Sequence, residues 1–264
     1  MDRTYWQRQT PDKPLFPDLL WSRPENKRQA GKLLIVGGNL HGFAAPATAY
    51  SEALKAGIGT ARVLLPDSLQ KTVGRVLEAG EYAPSTPSGS FARSALAELM
   101  AMAGWADGVL LAGDFGRNSE TAILLEQLLT KYGDQLTLTN DAVDYFAKTP
   151  DDLLKRPETT LVLSFSQLQQ LATSAGFTSP FTFNMDLLRL VESLHEFTEK
   201  YPVAIITKHL QNIFVAVGGQ VNTTKLTTDI DTWRVETAAH AAVWWLQNPG
   251  KTFEALMTSL VEKS

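Results

Sequence analysis

The sequence predicts an α/β fold, a mainly parallel central sheet with helices on both faces. Three observations carry that expectation. Short apolar runs recur, each closed by glycine or proline: Lys32–Val36 before Gly37-Gly38, Gly59–Leu65 before Pro66, and Gly108–Ala112 before Gly113. An unbroken apolar run, in place of an alternating one, marks a strand buried on both faces. Between the first two runs lies an Ala-rich helical pattern from about Ala45 to Ala56, closed by Gly57, so β-α-β is complete within about 35 residues, the signature of a parallel crossover. Finally, 264 residues with 44% hydrophobic and 20% charged side chains suffice for one large core and exclude a disordered or fibrous chain.

The elements follow in order. Residues 1–30 are rich in Pro, Arg and Lys, carry Trp6 and Trp21, and show no period of 2 or 3.6. They are expected to form an irregular arm held on the domain by its aromatic residues, with a single α/β domain over 31–264. After Pro66, residues 67–79 read as a helix, 84–90 as a Pro/Ser loop and Phe91–Met102 as a helix. Ser119–Lys131 is an amphipathic helix that Asn118 or Ser119 can cap. Leu136–Thr139 and Thr160–Leu163 are strands, and Met185–Lys200 is a helix. Val203–Thr207 and Ile213–Val217 are strands, the second turning at Gly218-Gly219 into Gln220–Thr223 as a hairpin. Glu236–Gln247 and Thr252–Glu262 are the closing helices, separated by Asn248-Pro249-Gly250. Trp244 and Trp245 read as core or as a subunit interface.

Composition removes several classes of chemistry. There are 24 Lys+Arg and 28 Asp+Glu, a net charge of −4, with no basic cluster. Neither nucleic acid nor a membrane is an expected partner. The chain has no cysteine, which excludes thiol nucleophiles, disulfides and Cys-type metal sites. Its histidines, His41, His195, His209 and His240, have no metal-ligand spacing, and no metal site is expected. The start, Met1–Trp6, lacks the apolar core of a secretory signal, and no apolar stretch reaches the roughly 18 residues needed to span a bilayer, so a cytoplasmic location is expected.

In a parallel sheet, ligands lie beyond the carboxyl ends of the strands. Two Gly-rich loops stand there. Val36–Ala45 (Val-Gly-Gly-Asn-Leu-His-Gly-Phe-Ala-Ala) lets a ligand approach backbone, and the helix after it favours an anion. It is neither GxGxxG nor a Walker A loop, and it also reads as a plain strand-to-helix turn. Ala112–Thr121 (Ala-Gly-Asp-Phe-Gly-Arg-Asn-Ser-Glu-Thr) likewise feeds a helix. Its Arg117 can hold a phosphate or pair with Glu120.

Gly31–Gly38, the Ala-rich helix and Ala53–Gly59 together resemble the ADP/ATP-dependent NAD(P)H-hydrate dehydratases, repair enzymes of the ribokinase-like superfamily. Gly113–Thr121 is similar to that family's Gly-Pro-Gly-Leu-Gly-Arg turn, Asn140–Val143 to its Asp-Ala-Asp-Ala-Leu stretch, and Thr207–Asn212 to its Leu-Lys-Gly-x-x-Thr strand end. The resemblance runs from about residue 27 to the C-terminus. It implies a three-layer ribokinase-like fold and dehydration of hydrated NAD(P)H driven by ATP or ADP with Mg2+. It further implies Asp231 as catalytic base, Lys208 and Asn212 at the nucleotide, Gly38, His41, Ala45, Gly116, Asp141 and Ser166 around the substrate, and a homo-oligomer, by analogy a tetramer.

The departures define a divergent member. Ser166 or a neighbour replaces the family's substrate histidine, and Thr139 replaces the first acid of its Asp-Ala-Asp stretch. The family's Gly-x-Gly-Asp turn supplies backbone N–H groups for the transferring phosphate. Here it corresponds to Thr227-Thr228-Asp229-Ile230-Asp231-Thr232, which keeps an acid and loses both glycines. Branched Thr and Ile resist the positive φ such nests often need. Three readings stay open: a nucleotide-dependent hydrate dehydratase, a nucleotide-binding or oligomerising pseudoenzyme, and a kinase of a small hydroxylated metabolite.

Overall fold

The computed structural model describes residues 4–225 and 233–261. Its strands are β1 (Trp6–Gln9), β2 (Lys32–Gly37), β3 (Thr60–Pro66), β4 (Gly80–Ala83), β5 (Gly108–Gly113), β6 (Gln135–Thr139), β7 (Thr159–Leu163), β8 (Val203–His209), β9 (Asn212–Val217) and β10 (Gln220–Lys225). Its helices are α1 (Pro17–Trp21), α2 (Ala44–Lys55), α3 (Gln70–Val73), α4 (Leu96–Trp105), α5 (Ser119–Lys131), α6 (Asp141–Asp144), α7 (Asp151–Leu154), α8 (Phe165–Ser174), α9 (Leu187–Lys200), α10 (Trp233–Gln247) and α11 (Thr252–Val261). The strands form one sheet in the order β1-β10-β9-β8-β7-β6-β5-β2-β3-β4. All neighbours are parallel except β8–β9 and β9–β10. The β9–β10 hairpin turns at Gly218-Gly219, as the sequence predicts.

Strand alternation divides the apolar side chains between two cores. Leu34, Val36, Leu111, Leu138, Leu161 and Ile205 face one layer, packed on Leu99 of α4, Leu125 of α5, Leu168 of α8 and Leu194 of α9. Leu33, Ile35, Leu110, Val162 and Ile206 face the other, with Ala49 and Ala53 of α2, Val243 of α10 and Leu256 of α11. Both faces are therefore covered, which is why these strands are apolar throughout. Trp244 and Trp245 are only 1% and 3% exposed. Trp245 belongs to the second core and Trp244 packs with Leu19 and Ala255, so the interface reading of this pair gives way to the core reading.

The short helices α1, α6 and α7 and the ten-residue α8 add to the expected elements, and two segments take a different form from the expected one. Residues 6–9 of the expected irregular arm are an edge strand, parallel to β10. Trp6 Nε1 donates to Thr223 Oγ1 at 2.9 Å, and Gln9 Nε2 donates to Thr224 Oγ1 and the Met257 carbonyl at 3.0 and 2.9 Å. Polar side chains on a threonine ladder hold the strand in place, and such a grip leaves no apolar alternation to read. The helix expected over 67–79 stops at Val73, and the chain returns to pair Gly80–Ala83 with β3 as the opposite edge. Four residues that include a glycine are too short for a strand period.

Candidate functional site

The C-terminal ends of β2, β5, β6 and β7 meet in one region. A Cβ at Gly37 would collide with the Gly113 carbonyl oxygen, so glycine there lets the β2 and β5 ends close together, and Gly38 N–H donates to that carbonyl at 3.0 Å. At Gly113 (φ +117°) a Cβ would stand 2.7 Å from Asn140 Cβ. The next residue, Asp114, also has positive φ (+61°), unusual for a residue with a side chain. The conformation is anchored on both sides. Asn39 Nδ2 donates to the Asp114 carbonyl at 2.6 Å, and Asp114 Oδ2 accepts the Ala45 N–H at 2.7 Å, in the first turn of α2. A carboxylate there satisfies an orphan helix donor and faces the positive end of the helix dipole.

The loop after β5 turns over the short helix α6. Gly116 N–H donates to Asp141 Oδ2 at 3.0 Å, and Tyr145 O–H donates to the Gly116 carbonyl at 2.7 Å. Asp141 Oδ1 is buried without a hydrogen-bond partner among the described residues. Burial, aided by the charges of Asp114 and Asp144, pushes the Asp141 carboxyl up to about 6, against the Gly116 N–H, which favours the charged form. After β7, Ser164 caps α8 in a capping box with Gln167. Gln167 then ties three elements together. Its Nε2 donates to the Asn140 carbonyl at 2.8 Å and to Asp144 Oδ1 at 2.7 Å, and its Oε1 accepts from Arg234 Nη1, on α10, at 3.0 Å.

These residues enclose a cleft of about 900 Å³. Its walls include Gly116, Arg117, Asn118, Asp141, Asp144, Tyr145, Lys148, Ser166, Gln167 and Arg234. Cations, carboxylates, hydroxyls and amides share one concavity, an arrangement suited to a ligand that carries both hydroxyl and anionic groups. Among the described residues, no cluster of three or more His, Asp or Glu is placed to hold a metal ion.

Of the residues singled out from the sequence, Gly116, Arg117, Asp141 and Ser166 come together in this cleft. Gly38 and Ala45 are not among the cleft's lining residues; their N–H groups donate to the Gly113 carbonyl and to Asp114 Oδ2. His41 is exposed on the β2–α2 loop and is not among the cleft's lining residues. Lys208 and Asn212 also lie outside the lining, and strand pairing separates them. Lys208 is opposite Ile213 and His209 opposite Asn212, which puts Lys208 on the α10–α11 face and Asn212 on the other. Asp231 lies outside the described residues. Sequence reasoning missed Asp114, Asp144, Tyr145, Gln167 and Arg234. The Ser164-x-x-Gln167 spacing is a visible capping signal; nothing in sequence links Arg234 to residues nearly seventy positions earlier.

No family profile and no curated protein matches the chain. Solved structures do. A ribokinase-like superfamily protein from Enterococcus faecalis V583 superposes with a TM-score of 0.74 at 14% identity, over 99% of this chain and 87% of that one. An ADP/ATP-dependent NAD(P)H-hydrate dehydratase from Bacillus subtilis, co-crystallised with ATP/Mg2+, gives 0.64 at 13% identity, over 94% and 86%. A phosphomethylpyrimidine kinase from Clostridium difficile 630 gives 0.50 at 12%, over 88% and 100%. With its ten-stranded, mostly parallel sheet between two helical layers, the chain has the ribokinase-like α/β fold that its sequence resemblance implies.

Proposed function

We propose that this protein binds a nucleotide and a hydroxylated small molecule in the cleft beyond β5, β6 and β7, as a divergent nucleotide-dependent repair protein for hydrated NAD(P)H. The observation that carries the reading is the convergence of Gly116, Asp141, Ser166 and Arg234 on one cavity at the carboxyl end of a ribokinase-like sheet. The cavity's volume suits such a ligand. Asp141 and Asp144 offer acceptors for substrate hydroxyls, and Arg117, Lys148 and Arg234 offer donors for phosphate. Co-crystallisation of the Bacillus subtilis dehydratase with ATP/Mg2+ supports ATP or ADP as the nucleotide. The described residues form no protein cage for Mg2+. The ion would arrive on the nucleotide's own phosphates.

By the resemblance, the substrate hydroxyl gives its proton to Asp231 as its oxygen takes the terminal phosphoryl group of ATP or ADP, whose bridging P–O bond breaks and releases ADP or AMP. The C–O bond then breaks, phosphate leaves with that oxygen, and the neighbouring carbon gives a proton to solvent as the ring double bond re-forms. A second reading, binding without turnover, is favoured by one feature: the Thr227–Asp231 stretch lacks both glycines of the family's anion-binding turn. One pair of measurements tests both. Loss of hydrated NADH in the presence of ATP or ADP, abolished in Asp231→Ala, establishes repair. Nucleotide binding by calorimetry with no turnover establishes the binding protein. If neither ATP nor ADP shifts the thermal unfolding midpoint, the nucleotide reading is refuted altogether, since saturation at about 100 times Kd adds roughly 2.7 kcal/mol and is readily seen.

A further inference from the structure

Among the described residues, Arg234 is the one side chain in the cleft contributed by α10, and its surroundings are unusual for an arginine. It is half-buried, and burial lowers its pKa; Asp144 and then Asp141 partly offset that loss through their charge. Yet its only hydrogen bond among the described residues is to the neutral Gln167 Oε1, and no carboxylate there forms an ion pair with it. The remaining guanidinium N–H groups have no partner among those residues. Gln167, itself only 8% exposed, is held by Ser164, Asn140 and Asp144, so the guanidinium is oriented by a rigid amide. A partly desolvated cation that lines a cavity and has N–H groups accepted by no described residue is suited to an anion.

A second observation directs the anion to this wall. The cleft's other cations, Arg117 and Lys148, are exposed and keep their hydration. Another anion-attracting feature of the region is the N-terminus of α2 after the first Gly-rich loop. There the Ala45 N–H is already taken by the Asp114 carboxylate, and the next residue, Pro46, has no N–H to offer. The protein's own carboxylate fills that position and repels a ligand anion from it.

We infer that Arg234 is the principal phosphate-binding residue of the cleft, holding a phosphate group of the nucleotide in a bidentate contact, with α2 closed to anions by Asp114. This inference rests on the proposed nucleotide reading. It also makes this chain's phosphate recognition a side-chain function on α10, in place of the backbone turn whose glycines are missing.

Calorimetry with ADP and with inorganic pyrophosphate tests it on the full-length wild type, Arg234→Gln and Arg234→Lys. The expected result is at least about a tenfold weaker ADP affinity in Arg234→Gln, with Arg234→Lys intermediate because an ammonium keeps the charge and loses the fork. Thermal unfolding without ligand should be unchanged or slightly raised in Arg234→Gln, which separates a binding role from a structural one. Equal ADP affinity in the wild type and both variants overturns the assignment of Arg234 and leaves the nucleotide reading intact. Should ADP fail to bind the wild type while pyrophosphate binds in an Arg234-dependent way, the phosphate site stands and the nucleotide reading falls. If neither anion binds the wild type, both fall. If Arg234→Gln does not fold, Arg234→Lys decides alone: wild-type affinity for both anions overturns the assignment.

Discussion

Replacing Asp141 by asparagine isolates the energetic consequence of placing a carboxyl in the cleft floor. The native group is pushed from its ordinary 3.8 up to about 6, chiefly by burial. The native state therefore binds this proton more tightly than the unfolded chain does. Its stabilising contribution is full below pH 3.8 and is lost as pH rises through 6. At about 1.4 kcal/mol for each pH unit separating the folded and unfolded values, the loss is roughly 2.5 kcal/mol between about pH 4 and pH 8. The asparagine side chain does not titrate, its amide oxygen can still accept the Gly116 N–H, and its Nδ2 inherits the unpartnered Oδ1 position. That orphan donor costs on the order of 1 kcal/mol at every pH. Asp141→Asn should thus be slightly less stable than wild type at about pH 4 and about 1 to 2 kcal/mol more stable at about pH 8. Urea denaturation of both proteins across that range measures the difference, and all groups common to the two cancel. A difference that stays flat with pH would refute the reasoning, because it would mean that the carboxyl ionises as freely folded as unfolded.

Two other perturbations have definite outcomes. At Asp114, Asn should keep most of the stability, Gly should lose about 1 kcal/mol as the α2 cap disappears while the positive-φ strain is relieved, and Ala should lose more because it keeps the strain and loses the cap; chemical denaturation that ranks Ala above Gly contradicts this. Arg156 is buried and donates to the carbonyls of Tyr132, Pro157 and Glu158 and to Thr159 Oγ1, away from the cleft. Arg156→Lys cannot reach them all and should cost at least about 2 kcal/mol in urea denaturation, with nucleotide affinity unchanged in the folded fraction.

The fold is legible in the sequence to a large degree. The unbroken apolar runs ended by Gly37, Pro66 and Gly113 are β2, β3 and β5 in parallel register, because strands buried on both faces need apolar residues at every position. What escapes is held by other means. β1 is gripped by polar side chains on β10, and β4 is too short to show a period. At the site, the strand pattern marks the loops after β5, β6 and β7, and the family resemblance picks Gly116, Asp141 and Ser166 within them. Lys208 and Asn212 look like a pair by sequence distance, but alternation across the β8–β9 hairpin sends them to opposite faces.

By itself, the sequence determined the layered α/β architecture, the order of the strands' buried segments, the absence of cysteine chemistry and the loss of the glycines in the Thr227–Asp231 stretch. These are properties of local pattern and composition, written within a few residues of each other. Only the tertiary structure decided that Asp114 caps α2 across nearly seventy residues, that burial keeps a proton on Asp141 to about pH 6, and that Gln167 delivers Arg234 to the cleft. Each depends on desolvation and on contacts between distant strand ends, and both arise only when the sheet assembles.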